Sequence, residues 1–363
     1  MRGWMKLRDR LDREGMYERI RDLPDQIGDA LRAFPDGAVP EGPFRNAAIL
    51  GMGGSAIGGE IVRAAAGNAA AVPIQSIRGY AAPGWCGPGT LAVAVSYSGN
   101  TEETLSAAAE AADRGAAIAV VSSGGALAEY AERRGFFRVD VPGGFPPRAA
   151  IGWLTVAPLL LLEKAGILTG GARSMDGARR ALEKLRPGYA GDEGAERCEP
   201  ARLAESLLGT FPVIYHAAGE TEPAAIRWCG QFAENAKTFS HRASFPELNH
   251  NEIVGWSRPE ELFSLTSLIL FRGDGDPPRV REGMEAAVEM IRGRAARFLP
   301  VRMSGADALE RIFRAVYLGD FVSYYLALAG GVDPTPVERI VALKAKLSGN
   351  GGLSRSAGEG GER

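Results

Sequence analysis

TLAVAVSYSGNTEETLSAAAEAAD, residues 90–113, decides how the rest of the chain is read. Thr90–Val95 is short, apolar and unbroken, as a strand covered on both faces requires. Glu102–Asp113 carries its alanines and leucine in a helical pattern. Between them lies Ser96-Tyr97-Ser98-Gly99-Asn100-Thr101, which gathers three hydroxyls around a glycine where a helix begins. A helix cap needs one such hydroxyl, with glutamates in the first turn. The additional hydroxyls, together with backbone N–H groups at a helix N-terminus, can satisfy the oxygens of a phosphate without a lysine.

The same strand–loop–helix pattern occurs upstream. Ala47–Met52 is an apolar run that feeds Gly51-Met52-Gly53-Gly54-Ser55-Ala56-Ile57-Gly58-Gly59. Glycines there admit a ligand close to the backbone. A tight strand-to-helix turn and a loose dinucleotide fingerprint are the competing readings. Val72–Ile77 and Ala116–Ser122 add two strands. Short buried runs alternating with helices indicate an α/β fold with a parallel, doubly wound sheet, and both loops fall at strand carboxyl ends, where such sheets bind ligands.

This first unit ends near Arg148, and Ile151–Ala165 reads as the helix that closes it. Residues 172–209 read as one or two connecting helices, broken by the turn cluster RPGYAGDEG at 186–194. The alternation then resumes. Pro212–Ala217, Leu262–Phe271 and Phe298–Met303 read as strands, and Pro223–Ala236, Gly283–Arg292, Ala306–Ala329 and Pro336–Leu347 as helices. The expected organisation is an N-terminal helical segment (1–44), a first α/β domain (45–165), connecting helices (166–210), a second α/β domain of the same kind (211–347) and a disordered tail (348–363).

Composition narrows the function. The formal net charge is −2 over 363 residues and the isoelectric point is about 6.1. No general attraction to nucleic acid or anionic membrane follows from that balance, so an anionic substrate needs local groups to hold it. Cys86, Cys198 and Cys229 are odd in number and widely spaced, which argues against a disulfide framework or a thiolate zinc site. The amphipathic N-terminus lacks a signal-peptide core, and apolar stretches such as Trp153–Leu162 fall short of the ~20 residues of a membrane span. A cytoplasmic protein is expected. The three histidines, His216, His241 and His250, show no metal-binding spacing, and no metal or cofactor is expected.

The Ser96–Thr104 run resembles the phosphosugar loop of the sugar isomerase (SIS) domain family. GMGGSAIGGE, SYSGNTEETL, PPRAAIGWL and ELNHNEIVGW, in that order, resemble one branch of it: the bifunctional phosphoglucose/phosphomannose isomerases of archaea and bacteria. The similarity runs from about residue 45 to about 347. It implies two SIS domains of flavodoxin-like three-layer architecture and a homodimer with shared sites. It also implies aldose–ketose isomerisation of a sugar 6-phosphate without metal or cofactor. On the matching motifs, Gly53, Gly54 and Ser55 line the sugar pocket, and Ser96, Ser98 and Thr101 hold the phosphate. Arg148 lies near the reacting carbons, Glu234 is the base, and His250 and Lys344 serve ring opening. Thr335 corresponds to a residue linked to accepting both C2 epimers.

Those residue types suit the chemistry. Moving hydrogen between C1 and C2 means removing a proton beside a carbonyl, for which a carboxylate is the usual base. A guanidinium remains charged while it stabilises an enediol oxygen. An imidazole can shuttle the ring-opening proton near neutral pH. Taken alone, Glu234 reads as a surface glutamate, His250 as a polar surface residue, Arg148 as a loop charge and Lys344 as a solvated lysine. Three other functions compete. One is a SIS module that senses sugar phosphate without catalysis, but Glu234 and His250 argue against it. Another is a different SIS enzyme, which ELNHNEIVGW disfavours. The third is a nucleotide-dependent oxidoreductase, which lacks its expected acid in the window Ala70–Ile77.

Overall fold

The computed structural model describes residues 3–191 and 198–350. Three helices open the chain: α1 (Trp4–Leu11), α2 (Met16–Arg21) and α3 (Leu23–Arg32). The first α/β half follows as β1 (Asn46–Gly51), α4 (Gly53–Ala66), β2 (Ile74–Ile77), β3 (Thr90–Val95), α5 (Glu102–Asp113), β4 (Ala117–Ser122), α6 (Gly125–Arg134) and β5 (Phe137–Asp140). Three helices connect the halves: α7 (Ile151–Lys164), α8 (Gly171–Ala190) and α9 (Glu199–Leu207). The second half is β6 (Phe211–Ala217), α10 (Glu222–Glu234), β7 (His241–Phe245), α11 (Glu252–Gly255), α12 (Glu260–Phe263), β8 (Thr266–Gly273), α13 (Pro278–Ile291), β9 (Arg297–Met303), α14 (Ala308–Ala329) and α15 (Glu338–Asn350).

All strand pairs are parallel. The first sheet has the order β2-β1-β3-β4-β5 and the second β7-β6-β8-β9. The first is the flavodoxin-like doubly wound order. β3 is buried along its whole length because it lies between β1 and β4 with helices on both faces. Leu91, Val93 and Val95 share one apolar cluster with α4 and α7, while Ala92 and Ala94 share another with α5 and α6. In the second sheet, Ile214, Ile269 and Phe271 face α10 and α14, and Tyr215, Leu268 and Leu270 face α13. The largest core therefore lies between the two sheets, built from α4, α7, α10 and α14. By length and composition α14 could cross a membrane, but 89% of that stretch is buried inside the chain.

The N-terminal helices belong to this core. Trp4 meets Tyr325 edge-on at 5.1 Å, and the Tyr317 hydroxyl donates to the Arg21 carbonyl at 2.8 Å. From α3, Gln26 Nε2 donates to the Ala149 carbonyl (2.9 Å) while its Oε1 accepts from the Gly152 amide (2.6 Å). The segment thus clamps the turn that carries Arg148.

Several expectations need correcting. Helix in the opening segment stops at Arg32, short of residue 44. The expected break at 186–194 starts late, because α8 runs through Pro187 to Ala190. The last turn of that helix is held from outside, since the Ala190 carbonyl accepts from the hydroxyls of Tyr17 (2.9 Å) and Tyr325 (3.0 Å). Leu262–Phe271 is not all strand. Residues 260–263 form the helical turn α12, pinned where Phe263 stacks on Trp256 at 5.0 Å, and β8 begins at Thr266. The edge strands β5 (FRVD) and β7 (HRASF) are additional to the expected set, because an edge strand covered on fewer sides tolerates the charges that hide its apolar pattern. α15 continues through Asn350, into the segment expected to be tail. The rest of that tail, and residues 192–197, lie outside the described residues.

Candidate active site

β3 delivers the hydroxyl loop to the carboxyl edge of the first sheet. Ser96 is buried, and its Oγ donates to Thr101 Oγ1 at 2.9 Å. Ser98 is exposed and accepts from the Asn100 amide. Ser55, in the first turn of α4, accepts from the Tyr97 amide at 3.1 Å, so the glycine loop and the hydroxyl loop are tied together. Gly99 has φ 70°, and a Cβ there would lie 1.7 Å from the Gly124 carbonyl oxygen. Only glycine lets the loop nest against the one following β4. The Tyr97 hydroxyl donates to the Pro142 carbonyl (2.8 Å) and accepts from the Phe145 amide (2.8 Å). It thereby carries the chain back towards Arg148. A Cβ on Gly54 would stand 3.1 Å from the Arg148 amide nitrogen, so the glycine loop and the Arg148 turn are in contact.

Arg148 sits in a short turn, Pro147–Ala149, and only 4% of it is exposed. Its Nε donates to Asn235 Oδ1 at 2.7 Å and its Nη1 to Glu234 Oε2 at 3.3 Å. Its Nη2 donates to the carbonyls of Pro334 and Thr335, both at 2.8 Å. One guanidinium therefore gathers the first sheet's edge, the end of α10 and the segment before α15. Burial lowers its pKa, and the Glu234 carboxylate works against that. An arginine guanidinium keeps its proton in proteins, so it remains a cation. Behind it, Arg227 and Asp320 form a buried pair (2.8 and 2.7 Å), with Gln231 donating to the same carboxylate (2.8 Å). Arg227 also donates to the Arg148 carbonyl at 2.9 Å.

Glu234 is at the rim, with about a third of its side chain exposed. Lys237 takes a left-handed conformation (φ 55°) and turns back to cap the Glu234 carbonyl. Burial, with Arg148 close by, lowers its ammonium pKa. Thr335 is buried, and its hydroxyl is without a partner among the described residues.

Two expected site residues take no part in the Arg148 hydrogen bonds given above. Lys344 lies on exposed α15. His250 ends the turn Glu247–His250, is exposed, and its ring makes no hydrogen bond among the described residues. Topology explains the separation of His250 from Glu234. Glu234 precedes β7 and His250 follows it, so the five residues of β7 stand between them, a length of roughly 16 Å at 3.3 Å per residue.

The segment carrying His250 is anchored in its own right. Glu252 accepts from the Tyr215 hydroxyl (2.7 Å) and pairs with His241 Nε2 (3.0 Å), and Tyr215 accepts from Trp256 Nε1 (2.7 Å). The bond to Glu252 raises the His241 pKa above its ordinary value, with burial opposing. Burial would raise the Glu252 carboxyl, but the bonds from His241 and Tyr215 outweigh it and hold it low. A cleft of about 500 Å³ opens beside this segment, lined by Cys229, His241, Arg242, Glu247, Asn251 and Glu252.

Sequence reasoning missed Asn235, Lys237, Arg227, Asp320 and Gln26. One signal was available. Asp320 is the sole charge in the apolar run Ala315–Ala329, and an acid there demands a buried partner.

A family model described as the bacterial phospho-glucose isomerase C-terminal SIS domain matches residues 197–347. A bifunctional phosphoglucose/phosphomannose isomerase from Caldicellulosiruptor bescii is 36% identical over 335 residues, covering 92% of this chain and 99% of the relative. One from Thermoplasma acidophilum is 33% identical over 344 residues, covering 91% and 97%. A hypothetical protein from Thermus thermophilus shares the fold with a TM-score of 0.73 at 18% identity, covering 95% of this chain and 93% of that one. With two sequence relatives matched almost end to end and one fold joining both sheets, the chain belongs to the bifunctional phosphoglucose/phosphomannose isomerase family.

Proposed function

We propose that this chain interconverts glucose 6-phosphate and mannose 6-phosphate with fructose 6-phosphate through a cis-enediol. The observation that carries the reading is the 3.3 Å contact between Glu234, a carboxylate at the rim, and Arg148, a buried cation beside the glycine loop. In the open-chain aldose, Glu234 takes the C2 proton, the C–H electrons form the C1=C2 bond, and the carbonyl oxygen becomes the enediol oxygen. Return of the proton to C1, as the C2–OH becomes C2=O and its hydroxyl proton passes to the oxygen on C1, makes the ketose. Negative charge grows on an oxygen next to Arg148, so the guanidinium contact strengthens as the barrier is approached. The phosphate rests on Ser96, Ser98, Thr101 and the first amides of α5, which puts the reacting end towards Gly53, Gly54, Ser55 and Arg148. Glucose and mannose phosphates lose their C2 difference in the shared enediol, and the Thr335 hydroxyl, without a partner among the described residues, is assigned to meeting either configuration.

Ring opening is assigned to His250 and Lys344. Because β7 separates Glu234 from His250 in one chain, His250 reaches the site from a second copy in a homodimer with shared sites. Residues 45–165 and 211–347 are taken as the two SIS-type domains of a cytoplasmic enzyme that needs no cofactor. The test is chelator-treated protein on fructose 6-phosphate, with glucose 6-phosphate and mannose 6-phosphate read separately. Both products are expected, and Glu234→Gln should lower kcat by at least about 10³-fold while sugar-phosphate binding persists. Full turnover by that variant would remove Glu234 from the mechanism.

A further inference from the structure

We propose that Asn235 is a positioning residue for the isomerisation: its side-chain amide sets how the Arg148 guanidinium stands against the Glu234 carboxylate. The proposal rests on Glu234 being the base. A guanidinium has five N–H donors. In Arg148, Nε is taken by Asn235 at 2.7 Å, and Nη2 is taken twice, by the carbonyls of Pro334 and Thr335. Nη1 remains, with one hydrogen on Glu234 and one unassigned among the described residues. That nitrogen is where a substrate oxygen can be met. Two carbonyls on Nη2 alone would let the group pivot, and the bond from Nε to Asn235 stops it.

Asn235 is itself fixed on every side and fully buried. Its Nδ2 donates to Ser323 Oγ (3.0 Å), which donates to the Asp320 carbonyl (2.8 Å), and its backbone amide donates to Gln231 O (2.8 Å). The Asp320 carboxylate holds Arg227, and Arg227 holds the Arg148 carbonyl. The circuit thus grips Arg148 by side chain and backbone, and its amide member is the residue next to Glu234. Only an amide serves both neighbours. Nε can only donate, so Asn235 must offer it an oxygen, and Ser323 takes the nitrogen. An alanine would drop both bonds.

The experiment compares Asn235→Ala, Ser323→Ala and Glu234→Gln with the parent enzyme. It measures kcat and KM, the primary deuterium isotope effect on C2-deuterated glucose 6-phosphate, and thermal midpoints. Asn235→Ala is expected to lower kcat about 100-fold, the scale of a misplacement near 1 Å. KM should stay within about threefold and the isotope effect should rise, since proton transfer becomes slower. Ser323→Ala, which loosens the amide without removing it, should lower kcat about tenfold. If Glu234→Gln is inactive while folded Asn235→Ala keeps kcat within about twofold or shows no change in isotope effect, the positioning role is overturned. If Asn235→Ala does not fold, Ser323→Ala decides by the same isotope criterion. Turnover by Glu234→Gln would instead overturn the base assignment, and this proposal with it.

Discussion

Asp320→Ala strikes the buried ion pair at the centre of this core. The carboxylate accepts from Arg227 Nε (2.8 Å), Arg227 Nη2 (2.7 Å) and Gln231 Nε2 (2.8 Å), and the pair's side chains are only 3% and 4% exposed. Removing the acid leaves a guanidinium buried without a counter-charge, at a cost of about 3–5 kcal/mol. Unfolding entropy of roughly 2.1 cal/mol/K per residue gives about 0.76 kcal/mol/K for 363 residues unfolding together. The thermal midpoint should therefore fall by about 4–7 °C. Removing both partners, as Arg227→Met with Asp320→Leu, takes the stranded charge away and should recover most of that loss. It cannot restore the bond from Arg227 to the Arg148 carbonyl, so kcat should remain depressed while stability returns. Denaturant unfolding beside the isomerase assay reads both quantities. A loss below about 1 kcal/mol for Asp320→Ala, or a double variant that adds the two single losses, would refute the buried-charge reasoning.

Three further outcomes are expected. Gly99→Ala forces a Cβ to within 1.7 Å of the Gly124 oxygen, so the hydroxyl loop must move, and KM for fructose 6-phosphate should rise about tenfold or more, since a displaced loop loses its phosphate bonds; a KM within twofold would unseat it as the phosphate site. The raised His241 pKa means its pairing with Glu252 stabilises below the unfolded value near 6.5 and is lost as pH rises through the folded value, while the lowered Glu252 pKa keeps the contribution until acid reaches it; with His241 47% exposed the effect stays under about 1 kcal/mol, and the midpoint gap between parent and His241→Gln should shrink from pH 6 to pH 8. On the proposed homodimer, mixing unfolded Glu234→Gln and His250→Ala chains and refolding them together should return about a quarter of parental activity, because half the dimers would be mixed and each of those would have one intact shared site; no recovery would count against a site shared between copies.

The first half was legible because its central strands are covered on both faces. Leu91–Val95 and Ala47–Gly51 are buried and carry no polar side chain, so their apolar runs are unbroken and their ends are sharp. The loops that follow are glycine- and hydroxyl-rich, and at Gly99 both the positive φ and the contact with Gly124 require it. The edge strands β5 and β7 gave no such signal, although the edge strands β2 and β9 were legible. His241–Phe245 pairs on one side only, and its side chains are mostly half-exposed. A sequence window also could not show that α8 would survive Pro187, since what holds its last turn is tyrosine hydroxyls from Tyr17 and Tyr325.

The candidate site was legible as far as chemistry is carried by short motifs, and no further. Ser96, Ser98 and Thr101 read as an anion site in sequence because three hydroxyls crowd one loop at a helix start. Arg148 does not announce its partners, because they come from residues 234, 235, 334 and 335, and each is ordinary in its own window. A hydrogen-bond circuit closed across three elements leaves one trace in sequence, a polar residue where the pattern calls for an apolar one. Asp320 is that trace: it sits in an apolar helix because Arg227 must be neutralised there, and Arg227 is there to hold the turn of Arg148. Reading such a residue as a demand for a partner, rather than as a flaw in the pattern, is what connects the core of this fold to its chemistry.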